Sequence, residues 1–79
     1  MARTPLTLPV SGAKFRTLRE LRGLHQSDVE SLTEVAGHRV ERSRLSLIET
    51  GKATPTPKQL KALLDVYRVE VEAVLDEAS

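Results

Sequence analysis

The chain of 79 residues has no cysteine and no tryptophan, and its aromatic side chains are Phe15 and Tyr67 alone. Without thiols there can be no disulfides, iron–sulfur clusters or thiolate zinc sites, which fits a reducing cytoplasm. Long apolar runs are missing too. Nothing approaches the roughly 20 residues of a membrane-spanning helix, and no signal-peptide core follows Met1. A cytoplasmic protein with no membrane partner is therefore expected. Hydrophobic residues make up 39% of the chain, so a core must be built from Leu, Val, Ile and Ala. A chain of this length forms one domain, near the lower limit for folding on its own core. Internal repeats and low-complexity segments are also absent.

Chemistry-bearing constellations are equally scarce. His25 and His38 have no third ligand at a metal-binding spacing, so both are expected at the surface and no metal or cofactor is expected. There is no nucleophile–base–orienter set, no Gly-rich phosphate loop and no carboxylate pair in a credible pocket. An enzyme is not expected.

Charge is present but unevenly spread. The formal net charge is +1, yet residues 1–61 carry 11 Lys/Arg against 6 Asp/Glu, while residues 62–79 set Arg68 against five acids. A basic body with an acidic tail suits a protein that offers one face to phosphates and another elsewhere, although ordinary solvated helices look similar.

Periodicity predicts an all-helical fold. Residues 1–10, with Pro5 and Pro9, read as an arm whose Arg3 either touches DNA or hangs loosely. The domain proper is expected over residues 11–79. Helix 1 runs from an Ser11 N-cap to Arg22, stopped by Gly23, with Phe15, Leu18 and Leu21 inward. Helix 2 starts at Gln26, aided by Asp28 and Glu30 near its positive end, with Val29, Leu32 and Ala36 inward. His38–Val40 forms a turn, with Val40 pointing to the core. Helix 3 spans about Arg42–Thr50, burying Leu45 and Ile48 before Gly51. Thr56-Pro57-Lys58-Gln59 is a strong helix start, and Leu60, Leu63, Leu64 and Tyr67 give the stripe of helix 4. Residues 69–75 alternate like a strand, but a lone strand would lack a partner. A fifth short helix is expected instead, with Val71, Val74 and Leu75 inward.

Three stretches carry a resemblance. They are Leu18-Arg19-Glu20-Leu21-Arg22-Gly23-Leu24 with Gln26, then Arg42-Ser43-Arg44-Leu45-Ser46-Leu47-Ile48-Glu49-Thr50-Gly51-Lys52, then Pro55 to Leu64. Over about residues 13–75 the chain resembles the phage repressor and Cro-like (Xre) helix-turn-helix family. The resemblance implies a compact five-helix, lambda-repressor-like domain in which helices 2 and 3 form the helix-turn-helix. One departure is plain: the interval from Gln26 to Glu49 is about five residues longer than usual, around Glu34 to His38. Either helix 2 gains a turn, as Ala36 and Gly37 favour, or the loop bulges.

The resemblance also implies roles. Helix 3 would enter the major groove with Arg42, Ser43, Ser46 and Leu47 facing bases. Arg42 suits guanine O6 and N7. Leu47 either packs on thymine methyls or covers the rim of helix 4. Gln26, Arg44, Thr50, Lys52 and Lys58 would contact phosphates, which sets position and salt dependence rather than sequence. Arg19 would pair with Glu49 and lock helix 3 against helix 1, a structural role. The implied function is a sequence-specific regulator, a repressor binding operator DNA as a homodimer through helix 5 (Val69, Val71, Val74, Leu75). The alternative is an antitoxin or adaptor that uses the fold to hold a protein partner, a reading favoured by an exposed Leu47.

Overall fold

The computed structural model describes residues 9–76. It contains α1 (Gly12–Leu21), α2 (Gln26–Val35), α3 (Arg42–Glu49), α4 (Pro57–Tyr67) and a single 3-10 turn at Val71–Ala73. The fold is all-helical, with four α-helices among the described residues rather than five. No helix among them is long and apolar enough to cross a membrane.

The helices start where the sequence places their caps. Ser11 Oγ accepts from the Lys14 amide at 3.3 Å. At α4, Thr56 Oγ1 accepts from the Gln59 amide at 3.2 Å, and the Gln59 side-chain carbonyl accepts from the Thr56 amide at 2.9 Å. Two orphan donors are satisfied reciprocally, and Pro57 presets the first helical residue. The first residue of α1 does something less visible. A Cβ on Gly12 would run into the carbonyl oxygen of Ile48 and lie 2.8 Å from that of Glu49. Only a glycine lets the start of α1 approach the end of α3 this closely.

The core joins Phe15, Val29, Val40, Leu45, Ile48, Leu63, Tyr67 and Val74, with at least one side chain from every helix. Three expected inward residues are elsewhere. Leu21 is 77% exposed, because at about 100° per residue it sits about 120° around α1 from Phe15. Its neighbour Arg22 takes the inward route instead. It donates to the Tyr67 carbonyl at 2.7 Å, a cation at the negative end of α4, with its guanidinium 5.7 Å from the Tyr67 ring centroid. Leu32 is 41% exposed and Ala36 is exposed, while Thr33 is wholly buried. The inner face of α2 is thus Val29 and Thr33, one turn apart.

Thr33 also explains the expanded connection. Its hydroxyl donates to the Val29 and Glu30 carbonyls and accepts from the Val40 amide at 2.9 Å, while its own carbonyl accepts from His38 N at 3.0 Å. The extra residues form a loop, not a longer helix. α2 stops at Val35, and Gly37 takes a left-handed φ of 112° that lets the chain turn out. Arg39 then ties the loop back to Glu30 at 2.8 Å.

The C-terminal segment corrects the fifth helix. Val69, Val71 and Val74 are β-branched, and seven residues are too few to nucleate an isolated helix. Leu75 instead forms an antiparallel bridge with Val10. Ser11 N donates to Val74 O at 2.7 Å and Asp76 N to Pro9 O at 2.6 Å. Neither reading of this segment holds throughout: residues 71–73 make a 3-10 turn, and only Leu75 pairs in extended form, with Val10 as its partner. Val74 is fully buried, whereas Val71 and Leu75 are half-buried. Arg3 and the rest of residues 1–8, like residues 77–79, lie outside the described residues.

Candidate nucleic-acid interface

α3 divides cleanly around its axis. Leu45, Ile48 and Glu49 are buried, while Arg42, Ser43, Leu47 and Thr50 are exposed and Ser46 is half-buried. At about 100° per residue these last five fall within roughly 140° of arc, one continuous solvent stripe. All four side chains expected to face bases therefore share one face, which is wide enough for a groove. Leu47, 43% exposed, lies at the edge of that stripe.

The stripe is presented by a helix held at both ends. At its C-terminus, Arg19 meets Glu49 in two parallel hydrogen bonds, Nε to Oε2 at 2.7 Å and Nη2 to Oε1 at 3.0 Å. The Glu49 side chain is only 3% exposed and that of Arg19 12%. Arg19 Nη1 also donates to the Leu24 carbonyl at 3.0 Å, so one guanidinium joins α1, the α1–α2 link and α3. The hydrogen bond to Glu49 raises the Arg19 pKa above its ordinary value, against the opposing effect of burial. Gln26 joins the same group, with Nε2 donating to Glu49 Oε1 at 3.2 Å. Its anchor is the last residue of α3.

The expected phosphate contacts separate into two kinds. Arg44 lies away from the stripe and donates to the Thr54 carbonyl at 2.9 Å and Gln59 Oε1 at 3.4 Å. It braces α3 against the start of α4. Gln59 had drawn attention only as a cap, and its role as a bridge to α3 has no sequence signal beyond that box. The Thr50 hydroxyl donates to the Ser46 and Leu47 carbonyls at 2.9 and 3.2 Å, so its proton is already committed. Arg42, Lys52 and Lys58, in contrast, are exposed and have no partner among the described residues. Lys52 follows α3 in the chain, and Lys58 is in the first turn of α4, beside Ala36, Gly37 and His38. His25 and His38 are exposed, His25 at the N-cap of α2 beside Gln26.

Two helices joined by a turn, the second carrying an exposed polar stripe and braced from behind, define a helix-turn-helix. The chain belongs to that family: a family model described as a helix-turn-helix domain matches residues 12–78. No curated protein and no solved structure matches the chain.

Proposed function

We propose that this protein is a sequence-specific DNA-binding transcriptional regulator of the Xre, Cro-like kind, acting as a repressor and reading the major groove with α3. The observation that carries this reading is the solvent stripe of α3, with Arg42 free at its leading end and Lys52 and Lys58 free beside it. Such a helix fits the groove, and base edges are met by its N-terminal residues. Arg42 reads guanine, Ser43 and Ser46 bond bases or the sugar–phosphate edge, and Leu47 packs on a thymine methyl. The work is binding without catalysis.

One module of this size makes few contacts, so a homodimer on a two-fold operator is part of the proposal. Val74 serves the protomer's own core and is not available for that purpose. Nearby, an open groove of about 350 Å³ is lined by Leu60, Leu64, Val69 and Val71 together with Lys61, Asp65 and Glu70. A second copy would meet the protomer there.

The test is binding of labelled DNA from the gene's own upstream region, with a competitor series and a salt titration. Tight binding lost in Arg42→Ala supports base reading. Lys52 and Lys58 leave two lysines per protomer for phosphates, so log K should fall against log salt with a slope near −4 for a dimer and about −2 for a monomer. Exposed Leu47 favours the second reading, an antitoxin or adaptor. Weak binding that ignores sequence and Arg42→Ala would move the assignment there.

A further inference from the structure

α3 begins against the rules for a helix start. Its N-cap is Glu41, whereas Ser, Thr, Asp and Asn are the residues that cap well. The Glu41 side chain makes no capping hydrogen bond to the helix. It is exposed and forms no ion pair, because the nearby cation, Arg39, is turned back onto Glu30 at 2.8 Å. Ser11 and Thr56 accept from their own helices, and at α2 the Asp28 carboxylate accepts from the His25 amide at 2.8 Å, so each of the other three starts has a side chain bonded to backbone. A carboxylate with no hydrogen bond or ion pair among the described residues, favoured only by the positive end of α3, therefore stands one residue ahead of Arg42. Local rules are broken in this way where function takes precedence. A negative charge there also weakens contact with any DNA backbone, so it does not serve general affinity.

We propose that Glu41 is a specificity-determining residue that accepts a hydrogen bond from the exocyclic amine of a cytosine, next to the guanine read by Arg42. In the major groove the cytosine N4 amine is a donor, while thymine presents only an O4 acceptor at the equivalent place. A carboxylate bonds the first and repels the second. On every sequence lacking the cytosine, the unpaired Glu41 faces phosphates and base acceptors, so the same side chain raises affinity for the right site and lowers it elsewhere. Specificity gained by a repulsive element of this kind is a difference between affinities, not a sum of contacts. The proposal rests on the DNA-binding reading given above and names one of its base preferences.

The experiment is selection of sites from random duplex DNA by the wild-type chain, Arg42→Ala, Glu41→Ala and Glu41→Ser. Affinities for the selected site, its single-base variants and bulk DNA are then measured at one salt concentration. The wild type is expected to require C·G at one position of the half-site and to lose roughly 5- to 150-fold when that pair becomes T·A. Glu41→Ala should erase that preference alone, leave the guanine preference in place and bind bulk DNA more tightly. Glu41→Ser, which supplies a good cap, should show the same loss of discrimination with no fall in melting temperature. Loss of specificity is then separated from loss of folding. A wild-type site with no cytosine requirement, or one whose preferences survive both Glu41 substitutions, overturns the proposal and leaves helix 3 as the reader. Failure of the wild type to enrich any sequence overturns the DNA-reading assignment itself, and this proposal with it.

Discussion

Replacing Arg19 with methionine removes the group on which the α3 orientation depends. Arg19→Met keeps most of the aliphatic stem but deletes two hydrogen bonds to Glu49 and one to the Leu24 carbonyl. The Glu49 carboxylate, 3% exposed, would keep only the Gln26 amide at 3.2 Å. Breaking one side of a buried ion pair costs about 3–5 kcal/mol, because the remaining charge is left uncompensated. A chain of this length has on the order of 4–12 kcal/mol in total. The melting temperature should therefore fall by on the order of 15–30 °C. Adding Glu49→Leu to Arg19→Met removes the stranded charge, and the double variant should recover to within about 1–2 kcal/mol of the wild type. The four proteins form a double-mutant cycle, read by urea titration at neutral pH, with an expected coupling on the order of 3 kcal/mol. A cost below about 1 kcal/mol for Arg19→Met, or singles that simply add, would refute the view that this pair holds the helices in place. The recovered double variant should still bind DNA more weakly, because Gln26 has lost its anchor.

Three further predictions follow from the packing. Gly12→Ala drives a methyl into the Ile48 and Glu49 carbonyls and should cost about 1–3 kcal/mol in spite of the better helix propensity of alanine; an unchanged or raised melting temperature would show that α1 can back away. Thr33→Val fills the same space but leaves the Val40 amide without its acceptor, so a loss of about 1–3 kcal/mol is expected in urea unfolding, and a neutral result would mean the loop finds another partner. Burial pushes the Tyr67 hydroxyl well above the ordinary tyrosine value of 10.0, and the hydroxyl has no partner among the described residues. The folded state keeps this proton when the unfolded chain releases it, so the contribution is complete below pH 10 and declines as pH climbs above it. Tyr67→Phe should abolish that alkaline loss and leave neutral stability equal or up to about 1 kcal/mol higher; a loss greater than that would show that the hydroxyl is bonded in solution.

Much of the framework was legible because it rests on local rules. Ser11, Thr56-Pro57 and Gln59 announce helix starts through bonds spanning three residues, and Leu63 and Tyr67 lie one turn apart on a core face. The misreadings all involve long-range partners or a residue type whose polarity hides its burial. Thr33 looks like surface, yet its hydroxyl is satisfied by two carbonyls of its own helix and one amide across the loop, which makes it cheap to bury. Leu75 looked partnerless as a strand because Val10, 65 residues earlier, stood in a segment read as an arm. Gly12 could not be singled out at all, since the backbone it touches belongs to residues 48 and 49. In the interface, pattern was enough to place the exposed stripe of α3 but not to say which cations are free. Arg44 and Lys58 are both basic, and only the neighbouring Thr54 carbonyl and Gln59 separate the brace from the free charge.

That separation is the central physical feature of the molecule. A basic chain of this size has a choice for each cation: hold the fold or meet a polyanion. Arg19, Arg22, Arg39 and Arg44 are tied to carbonyls or carboxylates within the protein. Guanidinium suits that task because its planar fork makes several bonds at once. Lys52 and Lys58 have no partner among the described residues, and under the proposal their compact ammonium groups would position DNA through the backbone without requiring one geometry. Arg42 and Arg68 are the exceptions, arginines without a partner among the described residues, and of the two it is Arg42 that lies on α3, where under the proposal its fork would have a base edge to match. With the arginines behind α3 engaged, the proposal rests on one unpartnered arginine at the start of that helix, next to Glu41, and these are the two residues whose substitution tests it.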